Sequence, residues 1–397
     1  MARQTPADDE WRLVRLDHVG AIVTGSTPPT QDRSNYGRHR MFAGPADLGR
    51  TKYVARTAKM LSARGFARSR RVPAGSTLFV CIGSTIGKVG LAAAELATNQ
   101  QINAIVPNDR VDPEYLYYAA TTLSALVRER AGEQAVPLVN KSDFSAFEIP
   151  LPSLDEQRRI AAALQETDRL AAALEELIAK KLAIKEGVMQ ELLTGRRRLP
   201  GFTEPWTTHR LSDLLTYEQP GPYLVRTSKQ LDAGRVPVLT AGKTFVLGFT
   251  NETHGVYRAH PVVIFDDFTT ASKYVDFDFK AKSSAMKILK PREGVDLRFV
   301  HGRMQLIDFP LGDHKRYWIS EYSKQEIQVP GEDEQAAVAR VLVDADDEIE
   351  ALRVRVAKAR AVRQGMAQEL LTGRTRLPVQ EDVRGDVQGD VQGEDSA

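Results

Sequence analysis

The 397-residue chain has one cysteine, Cys81, and its seven histidines show no His-x-x-x-His spacing. A disulfide framework and a cysteine-built metal site are excluded, and no metal is implied. No apolar run approaches the roughly 18 residues that a membrane span needs. Asp8, Asp9 and Glu10 stand where a secretory leader would be basic and then apolar. The expectation is a soluble, cytoplasmic protein.

Catalytic signatures are scarce as well. Gly-x-Ser-x-Gly is absent, and so is the Asn/Asp-Pro-Pro-aromatic tetrad with which amino-methyltransferases hold a flipped base; Pro28-Pro29 is the only Pro-Pro. Gly83-Ser84-Thr85-Ile86-Gly87-Lys88 imitates a phosphate loop but has three residues between its glycines where four are needed, and Val89 replaces the magnesium-binding hydroxyl. Asp266 or Asp267 with Asp278 and Lys280 has the outline of a metal-dependent nuclease site. The matching positions of the first half of the chain are Ile82, Gly83, Ala94 and Leu96. No catalytic residue is assigned.

What is present is length, charge and repetition. With 42% hydrophobic and 27% charged residues, the chain is globular and long enough for two or three domains. The net charge of +2 divides into a tail, Val379 to Ala397, with six acids against Arg384 alone, and a body of +7. Arg33 to Arg71 holds eleven Lys or Arg residues against one acid, Asp47, interleaved with Tyr36, Phe42, Tyr53 and Phe66. Such a density points to a polyanion partner, with a solvated basic loop as the plainer reading.

Ile149 to Pro200 aligns with Ile327 to Pro378 at an offset of 178 without a gap, with 24 identities in 52 positions. Asp155-Glu156-Gln157 returns as Asp333-Glu334-Gln335, and Gln190 to Arg196 as Gln368 to Arg374. Both copies carry a heptad-like stripe: Ile160, Leu164, Leu174, Ile178, Val188 and Leu192 in the first; Val338, Leu342, Ile349, Leu352, Val356, Met366 and Leu370 in the second. Ser153 followed by Glu156 is a capping box, and Gly195 and Gly373 are placed as helix stops. Each helix of some 40 residues would run about 60 Å. Neither can bury its stripe alone, so the two are predicted to pair as an antiparallel coiled coil. In the competing reading, each helix packs on its own domain.

The flanking regions repeat more faintly. Trp11 and Trp206 are each followed five residues later by Leu16 or Leu211, and at an offset of 184 Leu78-Phe79-Val80 meets Val262-Val263-Ile264. Their β-branched and aromatic stretches predict mixed α/β domains. The fold class is therefore α+β: two mixed domains separated by two long helices, with a pseudo-two-fold internal repeat. The expected boundaries are 1–152 and 199–330 for the domains, 153–198 and 331–378 for the helices, and 379–397 for an acidic disordered tail.

These features together resemble the specificity subunits of type I restriction-modification systems. The likeness rests on Gly83-Ser-Thr-Ile-Gly-Lys-Val-Gly90 leading to Asn99-Gln-Gln-Ile-Asn103, and on Val263-Ile-Phe-Asp-Asp-Phe-Thr-Thr270 leading to Lys273-Tyr-Val-Asp-Phe-Asp-Phe-Lys280 and Ser283-Ser-Ala-Met-Lys287. The Pro-x-x-Asp-Glu-Gln helix starts and Leu-Leu-Thr-Gly-Arg ends complete it. The resemblance implies a non-catalytic subunit whose two target recognition domains each read half of a split double-stranded DNA site, with the coiled coil setting the gap. It further implies two adenine methyltransferase subunits and restriction/translocase subunits as partners, in DNA methylation and defence against foreign DNA. Cofactors would then lie outside this chain: S-adenosylmethionine, ATP and Mg belong to the partners.

DNA contacts need cations for phosphates and amides or hydroxyls for base edges. The candidates in the first domain are Arg56, Lys59, Arg68, Arg70, Arg71, Lys88, Asn99, Gln100, Gln101 and Asn103. In the second they are Thr269, Thr270, Lys273, Tyr274, Ser283, Ser284, Lys287, Lys315 and Arg316, the last two in the run His314 to Trp318. The alternatives are a stand-alone DNA-binding regulator, which would bind its operator without a methyltransferase, and a self-sufficient nuclease, which would cut with magnesium alone.

Overall fold

The structure, a computed structural model, describes residues 11–132, 136–227, 229–242, 244–311 and 316–378. The acidic tail and Lys315 lie outside the described residues. The chain forms two compact units, one made of residues up to Ala172 together with those from Ala357, the other of Ala173–Val356. Four helices organise them: α1, Pro113–Thr122; α2, Leu154–Leu193; α3, Leu297–Gln305; and α4, Glu332–Leu370.

In the first unit the strands Gly20–Thr24, Ile102–Pro107, Thr77–Val80, Val89–Ala92 and Tyr53–Val54 lie side by side in that order. A second sheet orders Lys59–Leu61, Tyr36–Ala43, Leu96–Thr98 and Arg71–Val72, and Arg12–Arg15 pairs with Glu148–Leu151. Thr77–Val80 and Val89–Ala92 are buried throughout, as their apolar runs require of strands covered on both faces. The glycine-rich segment between them is a hairpin loop, with Gly83 at φ +94° and Gly87 at φ +88° and the chain returning as a strand. A phosphate loop would open a helix instead.

The second unit repeats the plan. Leu215–Glu218, Met286–Pro291, Val262–Asp266 and Ser272–Val275 form one sheet; Val246–Thr250, Val236–Leu239 and Lys280–Ala281 form another; Thr207–Arg210 pairs with Glu326–Val329. The 184-residue offset holds in detail: Asp112 caps α1 through the N–H groups of Glu114 and Tyr115, and Asp296 caps α3 through that of Phe299.

The long helices run as their signals predict. The Glu156 N–H reaches the Ser153 hydroxyl at 3.4 Å, and beyond the other ends Gly195 and Gly373 adopt φ of +70° and +72°. A Cβ on Gly195 would press on Trp206 at 3.4 Å, and one on Gly373 would collide with Trp11 at 2.9 Å. Each unit thus seats a tryptophan on a helix end.

The segments of α2 and α4 pair antiparallel within each unit. In the first, Arg363 Nε meets Asp168 at 3.2 Å; in the second, Lys185 meets Asp346 and Lys181 meets Glu348 at 2.7 Å. Asp168–Arg363 and Asp346–Lys185 are the same bond under the 178-residue repeat. The stripe, however, serves two purposes. Leu174, Leu352 and Val356, with Ile178 against them, form a helix-to-helix core. Ile160, Leu164 and Leu370 join the core of the first unit, with Met366 packed on it, while Leu192, Val338 and Leu342 join that of the second, with Val188 packed on it. Ile349 is buried as well. Heptad spacing registers that a face is buried, not what buries it.

The recurring Asp-Glu-Gln is a joint. Gln157 is 1% exposed; its carbonyl oxygen receives the Asp112 N–H at 2.9 Å while its amide donates to Arg110 and Pro152 carbonyls at 3.1 and 2.9 Å. Gln335 does the same to Asp296, Gly294 and Pro330. Glu334 grips Arg198 at 2.8 and 2.5 Å and receives the Trp206 indole at 3.2 Å; Glu156 faces Arg376 at 4.0 Å. The motif therefore nails each long helix to the capped helix of its own domain. Replacing Gln335 with Leu strands a buried N–H and two carbonyls and is expected to cost about 2–3 kcal/mol. Urea unfolding reads this as a lower midpoint at unchanged slope; an unchanged midpoint would contradict the joint.

Candidate nucleic-acid interface

The basic density of the first unit lies on its second sheet and the loops around it. Arg56 and Lys59 are exposed and have no ion partner among the described residues. Arg68 leans towards Asp32 at 3.6 Å and Arg71 towards Glu95 at 3.9 Å, both exposed pairs of the kind worth about 0–1 kcal/mol. Arg70 is more committed, since its guanidinium donates to the Thr24 carbonyl at 3.0 Å.

Asn99, Gln100 and Gln101 follow the strand Leu96–Thr98. The Asn99 amide donates to Gln101 at 3.0 Å, Gln101 donates to the Ile82 carbonyl at 3.3 Å, and the Thr27 hydroxyl donates to Gln100 at 2.5 Å. Asn99 and Gln101 share with Thr27, Tyr36, Asp47 and Lys59 a cleft of about 360 Å³. Lys88 is half-buried at the hairpin, its stem against Gly49. Asn103 requires a correction: it is 3% exposed and receives the Thr24 hydroxyl at 2.7 Å, so it supports the sheet and has no free edge for DNA.

In the second unit Thr269 and Thr270 lie at the tip of the hairpin after Val262–Asp266, where the Asp266 carboxylate accepts the Phe268 and Thr269 N–H groups and Thr270 takes φ +55°. Ser283, half-buried, caps the Ala285 N–H, and Ser284 is exposed. Arg316 is exposed. Lys273 and Tyr274 lie instead on the edge strand that lines a cavity against α2 and α4, with Arg298 stacked 4.0 Å over the Tyr274 ring.

Lys287 is the second correction. It is 1% exposed and ion-paired at 3.3 Å with Asp267, itself 1% exposed at the side chain, and it also donates to Gln219 at 3.2 Å. Asp267 accepts the Trp318 N–H at 2.8 Å. This is an internal tie between the sheet and the aromatic segment Tyr317–Ser320, out of reach of any backbone phosphate.

The carboxylates of the nuclease outline are all engaged in structure: Asp266 caps its turn, Asp267 holds Lys287, Asp278 meets Arg258 at 2.7 Å, and Lys280 is buried against Glu252 at 3.1 Å. Among the described residues no group of three or more His, Cys, Asp or Glu side chains is placed to hold a metal ion. Among the described residues no helix is long and apolar enough to cross a membrane.

Residues 8–185 match the family model of the type I restriction modification DNA specificity domain. That match makes 178 of the 397 residues similar to the specificity domain. The chain is 49% identical over 148 residues to the EcoR124I/EcoR124II specificity subunit of Escherichia coli, 36% of either chain. It is 30% identical over 160 residues to the MjaIX specificity subunit of Methanocaldococcus jannaschii, 39% of this chain and 37% of that one. These matches thus span just over a third of the curated relatives' length. Across the whole fold, the crystal structure of a type I S subunit from M. genitalium superposes with a TM-score of 0.58 at 14% identity, covering 93% of this chain and 98% of that one. A structure from work on complex assembly and conformational transition of the type I R-M system gives 0.57 at 17%, covering 93% and 99%. The fold found here, mixed domains with two long helices, is thus similar to that of these two structures.

Three residues of the exposed basic face were not singled out from the sequence. Arg38, His39 and Arg40 lie outward on the strand Tyr36–Ala43, and Arg40 also covers the Phe66 ring at 5.5 Å. Two arginines flanking a histidine in a strand without β-branched residues were the available signal. The fate of Lys287 generates a test: Lys287→Ala leaves Asp267 buried without its partner and is expected to destabilise the protein by about 3–5 kcal/mol. A variant as stable as the parent but weak in DNA binding would restore Lys287 to the interface.

Proposed function

We propose that the chain is the non-catalytic DNA-recognition subunit of a cytoplasmic type I restriction-modification complex. The observation that carries this is the repeat itself: two alike helices joined by the same Gln fastening to two readers whose exposed residues differ. Like supports with unlike faces suit a molecule that reads two different half-sites. Residues 1–152 and 199–330 are the readers, 153–198 and 331–378 the spacers.

Arg56, Lys59, Arg68 and Arg71 serve as phosphate contacts in the first reader, with Asn99, Gln100 and Gln101 beside them as base-edge groups; Thr269, Thr270, Ser284 and Arg316 are their counterparts in the second. Methyl transfer and cleavage, with S-adenosylmethionine, ATP and Mg, belong to methyltransferase and restriction/translocase partners. Alanine at both Arg56 and Lys59 is expected to lower the slope of log affinity against log salt by about 2 units with little change in half-site preference; an unchanged slope removes them from the interface.

Co-expression tests the function. The chain should copurify with two copies of its methyltransferase and direct adenine methylation to a split site. A heptad inserted at matching places in α2 and α4 should widen the gap by about 10 Å, roughly three base pairs. Tight operator binding without any methyltransferase would favour the stand-alone regulator, and an unchanged gap would refute the spacer role.

A further inference from the structure

The two units share one helix-pair ion bond but connect it to their readers differently. In the first unit, Asp168 of α2 holds Arg363 of α4 and, with its other oxygen, accepts the Tyr118 hydroxyl of α1 at 2.7 Å. That hydroxyl receives Lys52 at 2.9 Å, and Lys52 is ion-paired with Glu114. Glu114 accepts the Tyr53 hydroxyl at 2.7 Å, and the Tyr53 oxygen receives Gln165 of α2 at 3.0 Å. Two separate parts of the reader, residues 52–53 and α1, are thereby wired to α2 at two points and through Asp168 to α4. The Lys52 side chain is 11% exposed, and burial lowers its pKa. Bonds to charged groups so sheltered are short, directional and weakly screened.

In the second unit Asp346 and Lys185 repeat the ion bond, but the 184-residue offset puts Gly302 where Tyr118 stands and Arg298 where Glu114 stands. A Cβ on Gly302 would strike Leu193 at 2.8 Å. Arg298 turns to Asp276 at 3.0 Å. Beside the close contact at Gly302, α3 and the long helices line a cavity of about 380 Å³ with Lys185, Lys273, His301, Gln305, Leu342 and Asp346. Among the described residues, Asp346 has no reader side chain bonded to it.

We propose that Tyr118, Asp168 and Lys52 are positioning residues that fix the angle of the first reader on its helices, so that tolerance to gap length in the split target is set in the first unit. A phenol bonded on both sides adds directional bonds between reader and helices, whereas at the matching level the second unit has apolar packing beside a cavity and no such bond. The inference rests on the split-site reading above.

The test compares twins. Tyr118→Phe keeps the ring and removes the bonds; Asp168→Asn and Asp346→Asn each weaken one equivalent helix-pair ion bond, but only the first touches a reader. The full methyltransferase complex is assayed on DNA with the cognate gap and with gaps one base pair longer or shorter. Tyr118→Phe and Asp168→Asn should raise the ratio of off-gap to cognate methylation by roughly fivefold or more, while Asp346→Asn stays within about twofold. General destabilisation lowers all sites together and leaves the ratio alone. Unchanged ratios in both first-unit variants, with cognate methylation retained, overturn the inference and leave the split-site reading standing; an equal rise in Asp346→Asn overturns it too. A parent complex that methylates no split site sinks the reading and the inference with it.

Discussion

Everything in this molecule leans on two helices that cannot stay folded alone. An isolated amphipathic helix of this length exposes its stripe to water, and pairing buries it. The antiparallel sense follows from the bonds Asp168–Arg363 and Lys185–Asp346, in which rising numbers on α2 meet falling numbers on α4. These partly exposed pairs supply little stability by themselves; they select register and direction, which the apolar stripe leaves loosely specified. Because the repeat makes the two bonds equivalents of each other, the same interaction secures the helix pair in both units.

From that support the rest is fastened by few residues. Gln157 and Gln335 satisfy one N–H and two carbonyls each at the point where a long helix meets a capped reader helix. Glu334 draws in Arg198 and Trp206 after the first long helix has ended. A buried carboxylate or amide tolerates no substitute of other chemistry, which gives the Asp-Glu-Gln start its physical sense. Each domain shares its main core with the long helices and keeps smaller cores of its own, and its exposed face lies apart from the buried fastenings.

The helices were legible because a long periodic stripe, a capping box and left-handed glycines each report on local structure. Even there, the stripe did not reveal that Ile160 and Leu192 would be claimed by the readers and only Leu174, Ile178, Leu352 and Val356 by the helix pair alone. The candidate interface was legible as a basic, aromatic-interleaved segment and as hairpin tips. It was not legible residue by residue: Lys287 is taken by Asp267, twenty positions away, and Asn103 by Thr24, partners that only the sheet brings together. The Tyr118 network was beyond reach for the same reason, since its members come from four places in the sequence.

Oxidative cross-linking tests the antiparallel helix pair most directly. Lys185→Cys with Asp346→Cys should form a disulfide rapidly, whereas Lys185→Cys with Arg363→Cys, about 25 Å further along α4, should not. Rapid cross-linking of 185 to 363 and none to 346 would mean that the helices run parallel, and the account built on them would be wrong.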